Sequence, residues 1–227
     1  MMSTRARRAH YAAAVFDMDG LLLDSERPIR DAWLRAALEL DIALLEADYL
    51  LAVGANATDS RRVLCAAVGG ERQFEAIDQR ARLHLGAQRE TGFAVKAGAL
   101  ELLHVLGGMG IVCCVASSTA RAEVGRRLQA SGLRDHFVAI TGGDEVVRGK
   151  PQPDLFLLAG ERIGIEACRC LVFEDSELGA RGALAAGMGV VLVPDLKIPD
   201  PAVCAAATMV LHSLADAVPL CPGWFAP

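Results

Sequence analysis

Lysine is almost missing from this chain of 227 residues: Lys96, Lys150 and Lys197 are all there is, although lysine and arginine together number 23. Against 28 acidic residues this leaves a net charge of -5, and no basic face of the kind that nucleic-acid binding requires. Arg5, Arg7 and Arg8 form the one basic cluster, and it reads as a solvated N-terminal tail. There is no apolar run long enough to span a bilayer, and the stretch after His10 meets Asp17 too early to be a signal-peptide core. The expected location is therefore cytoplasmic. The cysteines lack CxxC spacing: Cys113 and Cys114 are adjacent, Cys168 and Cys170 flank Arg169, and Cys65, Cys204 and Cys221 stand alone. That excludes a zinc site of the usual pattern and favours reduced, mostly buried thiols. What remains is 53% hydrophobic and 22% charged, the make-up of a well-packed domain, long enough for one core and a smaller insertion.

The first informative stretch is Val15-Phe16-Asp17-Met18-Asp19-Gly20. An apolar strand from Tyr11 to Phe16 ends in two carboxylates two residues apart. Side chains at i and i+2 of extended chain share a face, so the two acids repel unless a cation or hydrogen bonds compensate. Alone, the segment is equally well a polar turn with glycine at a positive φ.

From Ser25 to Gly92 the apolar spacing is helical: Arg27 to Leu40, a short segment in Leu44 to Val53, Ser60 to Val68 and a long stretch from Glu71 to Glu90. Beyond Gly92, strands and helices alternate. The strands are Ile111 to Ala116, Phe137 to Thr141, Cys170 to Phe173 and Val190 to Val193, with Thr208 to Leu211 as a possible last one; helices fall at Ala99 to Met109, Arg121 to Ala130, Pro153 to Ile163 and Leu178 to Ala186. Short continuous apolar strands between helices predict an α/β fold, a doubly wound parallel sheet of Rossmann-like type carrying an inserted all-α unit. The expected division is a core of residues 1–24 and 92–227 and a helical cap of residues 25–91.

Ligands of such sheets bind beyond the carboxyl ends of the strands. Collected there are Asp17 and Asp19, then Ser117, Ser118 and Thr119, then the loop to Lys150, then Glu174, Asp175 and Ser176. Glu174 and Asp175 suit a helix N-terminus and Ser117 suits an N-cap. Four acids on one rim, however, call for a divalent cation, and oxygen ligands suit Mg²⁺. A cation, a lysine and a helix N-terminus beside a carboxylate pair fit a phosphoryl group.

In order and spacing, Asp17-Met18-Asp19-Gly20, Ser117 at a strand end, Lys150-Pro151 and Glu174-Asp175-Ser176 resemble the four signature motifs of the haloacid dehalogenase superfamily. The helical insertion after the first motif is similar to that of its β-phosphoglucomutase-like phosphatase branch. The resemblance covers nearly the whole chain. It implies that Asp17 is the nucleophile forming an aspartyl-phosphate and Asp19 the general acid and base. It also implies Mg²⁺ held by Asp17, Asp175 and the backbone carbonyl of Asp19, with Glu174 direct or one shell out. Ser117 and Lys150 match the groups that hold the transferred phosphoryl oxygens, with Ser118 beside them.

Mutases of this branch carry a cap arginine, a histidine soon after the first motif and a cap lysine. Here Ala57 and Ile29 occupy the first two places, and Ser25 to Gly92 holds no lysine. Water is thus the expected final acceptor, with Arg61, Arg62, Arg80 or Arg82 as possible substitutes in a mutase. A dehalogenase would lack Asp19 and need no metal, and a non-catalytic phosphate binder would have lost a motif acid. The expected partner is a small phosphorylated metabolite, sugar phosphates first and phosphoglycolate next, on a monomer or homodimer. Glu26, Asn56 and Thr58 are candidates to face it from the cap, each with an alternative as a helix-cap or surface residue. Trp224 and Phe225 look exposed near the C-terminus and could pack on the core or on a second subunit.

Overall fold

The computed structural model describes residues 11–225; the basic cluster Arg5, Arg7 and Arg8 lies outside them. Six strands form a single parallel sheet: β1 (Ala13–Phe16), β2 (Val112–Ser117), β3 (Ala139–Gly142), β4 (Cys170–Glu174), β5 (Gly189–Leu192) and β6 (Met209–Val210), in the order β3-β2-β1-β4-β5-β6. Alternation along the strands feeds two apolar layers. Ala14, Phe16, Val115, Leu171, Phe173 and Val191 point to one side, and Ala13, Val15, Cys114, Ala116, Val172 and Val190 to the other. Both faces are covered, as a parallel sheet requires. Phe16 stacks on Phe173 with ring centroids 4.8 Å apart.

Between β1 and β2 the chain is helical: α1 (Glu26–Glu39), α2 (Glu46–Leu50), α3 (Ala57–Val68), α4 (Glu71–His84), α5 (Gly86–Thr91) and α6 (Ala99–Gly108). The expected long helix from Glu71 to Glu90 is in fact two. It breaks where Leu85 leaves helical geometry and Gly86 follows, the residue with the least to lose by departing from a helix. Trp33, Tyr49, Phe74 and Ile77 give this helical segment its apolar centre, continuous with Leu21, Leu22 and Leu23 of the entering chain.

The two connections to the helical segment run side by side. Asp24 N–H donates to Ala94 O at 2.8 Å and Lys96 N–H to Leu22 O at 2.9 Å. Asp195, after β5, accepts at one oxygen from Arg27 and Lys96, each at 2.6 Å, and so ties both connections to the sheet.

Further helices include α7 (Arg121–Ala130), α8 (Asp154–Ile163), α9 (Glu177–Ala185) and α10 (Pro201–Ala206). The last was not expected from periodicity; its start is marked by Asp200, whose carboxylate accepts from Ala202 N–H, followed by Pro201 at the first helical position. Phe225 is buried rather than exposed, because Tyr11 N–H bonds Trp224 O and the ring closes the apolar layer beneath β1. All seven cysteines are free and four are buried, as their spacing suggests. Among the described residues, no helix is long and apolar enough to cross a membrane.

Candidate active site

Register assembles the rim. Phe16 pairs with Phe173 on one side and Val115 on the other, so Asp17, Glu174 and Ser117 leave their strands at neighbouring heights. Asp17 N–H still bonds Phe173 O at 3.0 Å, which fixes the first acid against β4. Ligand oxygens of Asp17, Glu174 and Asp175 lie within 4.8 Å of one another, all three residues buried. Gly20, at φ +84°, and Gly179 make room for this cluster: a methyl group at the first would overlap the Asp175 carboxylate, and one at the second the Glu174 carboxylate. Gly20 was marked in the sequence as a glycine at positive φ ending the first motif, whereas Gly179 did not stand out, because it is also an ordinary helix residue.

Lys150 is the compensating charge. Its ammonium donates to Asp17 Oδ1 at 2.5 Å and to Glu174 Oε1 at 3.2 Å, and it lies 5.2 Å from the centre of the Phe156 ring. Burial would lower the Lys150 pKa, but Asp17 and Glu174 outweigh that and raise it. One lysine does not neutralise three acids. Burial first, then the charge of Glu174, holds both the Asp17 and the Asp175 carboxyls well above the usual range. Glu174 Oε2 is buried without a hydrogen-bond partner among the described residues, a costly arrangement for a carboxylate. Clustered hard oxygens, excess negative charge and an orphaned buried oxygen fit a divalent cation such as Mg²⁺.

Asp19 stands apart from that cluster. Its Oδ1 accepts from Ser25 Oγ at 2.6 Å and from Arg127 Nη1 at 2.6 Å, and its Oδ2 from Thr119 Oγ1 at 2.8 Å. The expected repulsion within the pair is thus a minor influence on Asp17, behind burial, Glu174 and Lys150. Ser117 is buried and its Oγ accepts from Thr119 N–H at 3.1 Å. It does not cap α7, whose N-cap is Ala120. Ser118 donates its hydroxyl to Gly54 O at 3.2 Å, so that hydroxyl meets the helical segment.

These groups surround a cavity of about 60 Å³ walled by Asp17, Asp19, Ser117, Ser118, Thr119, Lys150, Asp175 and Ser176 from the sheet edge. Gly54, Ala55 and Glu26 close it from the other side. Of the three cap candidates, only Glu26 reaches it. Asn56 instead accepts from Asp59 N–H at 2.9 Å as the N-cap of α3, and Thr58 is exposed on that helix. The arginines that might have served a mutase are engaged elsewhere: Arg61 with Glu71 and Glu75, Arg62 with Asp59, Arg80 with Glu39 and Arg82 with Asp78. Arg127 was missed by the sequence, where four residues after Glu123 it resembles a surface helix pair.

Burial, with Asp19 and Asp195 adding, pushes the Glu26 carboxyl up to about 8. The ordinary value for an unfolded chain is about 4.3. A raised folded value favours the protonated acid, so its stabilising effect is complete below the unfolded value and is lost as pH rises through about 8. Glu26→Gln is expected to remove this part of the decline in Tm between about pH 5 and 8; an unaltered decline would contradict the environment described.

A family model for haloacid dehalogenase-like hydrolases matches residues 11–187. The fructose-1-phosphate phosphatase YqaB of Escherichia coli is 32% identical over 189 residues, 80% of this chain and 95% of that protein. Hexitol phosphatase A of the same organism is 32% identical, over 88% and 90% of the two chains. Among solved structures, a haloacid dehalogenase family hydrolase from Deinococcus radiodurans with bound phosphate and sodium superposes with a TM-score of 0.74 at 29% identity, over 96% of this chain and 99% of that one. A putative β-phosphoglucomutase from Thermotoga maritima gives 0.73 at 26% identity, over 92% and 97%. With strand order, rim chemistry and family match in agreement, the chain belongs to the haloacid dehalogenase-like hydrolases and is a phosphoric monoester hydrolase.

Proposed function

We propose that this chain is a Mg²⁺-dependent phosphatase of small, hydroxyl-bearing phosphate esters, working through an aspartyl-phosphate on Asp17, with residues 25–91 as the cap over the site. The observation that carries this reading is the cluster of Asp17, Glu174 and Asp175 with Lys150 against Asp17. Asp17, Asp175 and Glu174 would hold the cation, with the Asp19 carbonyl that the family resemblance adds. Bound there, Mg²⁺ supplies charge neutralisation for the approach of an anionic ester.

The chain's own groups divide the remaining work. An Asp17 oxygen attacks phosphorus as the ester P–O bond breaks, and the leaving oxygen takes a proton from Asp19. Water then attacks the phosphorus of the acyl phosphate, gives a proton to Asp19 and frees Asp17 and inorganic phosphate. Lys150, Ser117 and backbone N–H groups after β2 stabilise charge on the equatorial oxygens. The cap contact from Ser118 to Gly54 keeps bulk water out.

The leaving-group side of the cavity supports the choice of substrate. Gly54 and Ala55 bring no charge there, and Glu26, whose raised value favours the protonated acid, brings a neutral group that can donate and accept, which suits hydroxyl groups. Relatives named for fructose 1-phosphate and hexitol phosphates are in keeping with this. A mutase would need a cation from the cap to hold a second phosphate, and among the described residues none lines the cavity from that side.

Release of p-nitrophenolate from p-nitrophenyl phosphate, measured with EDTA and with Mg²⁺, tests the activity. Turnover that disappears with EDTA and returns with Mg²⁺ is expected; no release with any divalent cation would overturn the phosphatase reading. A panel of polyol, sugar and carboxylated esters compared by kcat/KM then tests the substrate class.

A further inference from the structure

We infer that Arg127 is the positioning residue for the proton-carrying carboxylate Asp19, a role that rests on the phosphatase reading above. Arg127 lies on α7, whose core-facing residues are Val124 and Leu128, so the helix does not need it for packing. Even so its side chain is only 15% exposed, as is that of Asp19, and the two meet at 2.6 Å. Arg127 is itself held in place: Nε donates to Glu123 Oε1 at 2.9 Å, and the guanidinium carbon lies 5.3 Å from the centre of the Phe93 ring.

The geometry gives the contact a purpose beyond charge pairing. Ser25 belongs to the chain entering the cap, Phe93 to the chain leaving it, and Thr119 to the loop after β2. Asp19 is therefore bound directly to the first and third and, through Arg127, to the second. Ser25 and Thr119 supply neutral hydroxyls, whereas Arg127 supplies a charged donor that is itself anchored by Glu123 and Phe93. Charge-assisted hydrogen bonds in a partly dry site are the stronger ones. Without Arg127 the carboxylate would keep two hydroxyl contacts but lose the one that fixes it relative to the returning connection. A small misplacement of a reacting group costs about 100-fold in rate.

The test separates proton transfer from general damage. In Arg127→Met the stem over Phe93 is retained and the donor is lost. Kcat/KM is compared for an alkyl ester, glycerol phosphate, whose leaving alkoxide needs a proton, and for 2,4-dinitrophenyl phosphate, whose leaving group departs as a stable anion. Expected is a loss of about 10- to 100-fold on the alkyl ester, with the dinitrophenyl ester close to wild type. Arg127→Lys, which keeps the cation but not the fork, should show the same selectivity with a smaller loss, and it serves if the Met variant does not fold. Equal losses on both esters, no loss, or a gain on the alkyl ester would overturn the assignment. A wild-type chain inert on both esters would overturn the phosphatase reading and this assignment with it, whereas an active wild type whose variants lose both esters equally would overturn the assignment alone.

Discussion

Asp17→Asn is expected to lower turnover of every phosphate monoester by at least about 10⁴-fold while the protein remains folded. An amide is a poor nucleophile toward phosphorus, and no neighbouring group can take its place. Glu174 is fully buried, with one oxygen held by Lys150 Nζ and Ser176 Oγ at 3.2 and 2.7 Å, and Asp19 is held by three donors outside the acid cluster. Stability should not fall. The Asp17 carboxyl is raised by burial and by Glu174, so a neutral side chain of equal shape relieves repulsion, and Lys150 keeps its contact with Glu174. Thermal melts in EDTA, run beside the activity assay, check both halves. Retained turnover would remove Asp17 as the nucleophile.

Lys150→Met should have the largest effect on the fold. The ammonium is buried between Asp17 and Glu174, and removing one partner of a buried pair leaves uncompensated charge, at a cost of about 3–5 kcal/mol. Methionine can still lie against Phe156, so lost packing contributes little. Because the deficit is electrostatic, added Mg²⁺ should return part of the stability, and a fall in pH should do likewise by protonating the raised carboxyls of Asp17 and Asp175. Activity should fall by at least about 100-fold, the usual cost of losing one donor to developing charge. Urea unfolding at two pH values, with and without Mg²⁺, measures the stability effect. A variant as stable as wild type in EDTA would contradict the charge balance described.

Much of this architecture was legible because it is written locally. Apolar runs such as Leu171-Val172-Phe173 and the polar residues that end them are contiguous, and parallel sheets place strand ends together by rule. Asp17, Asp19, Ser117, Lys150, Glu174 and Asp175 could therefore be collected on one rim from order and spacing alone. What escaped depends on contacts between distant segments. Arg127 reaches Asp19 across 108 positions of sequence, and Asp195 gathers Arg27 and Lys96 from both connections; each of these looked like an ordinary surface charge. Gly179 matters for what a side chain there would strike, which composition does not reveal. Asn56 shows the reverse. Its polar side chain suggested either a substrate contact or a helix cap, and it is the cap: its oxygen accepts from Asp59 N–H, the local bond that an N-cap asparagine favours.

The covalent step on Asp17 is the centre of the account, and the stereochemical course at phosphorus tests it most directly. A phosphorothioate ester made chiral at phosphorus by sulfur and two oxygen isotopes, hydrolysed in water carrying the third isotope, should yield chiral thiophosphate with overall retention of configuration, because displacement by Asp17 and then by water inverts the centre twice. Inversion would show a single direct attack by water and contradict the aspartyl-phosphate mechanism.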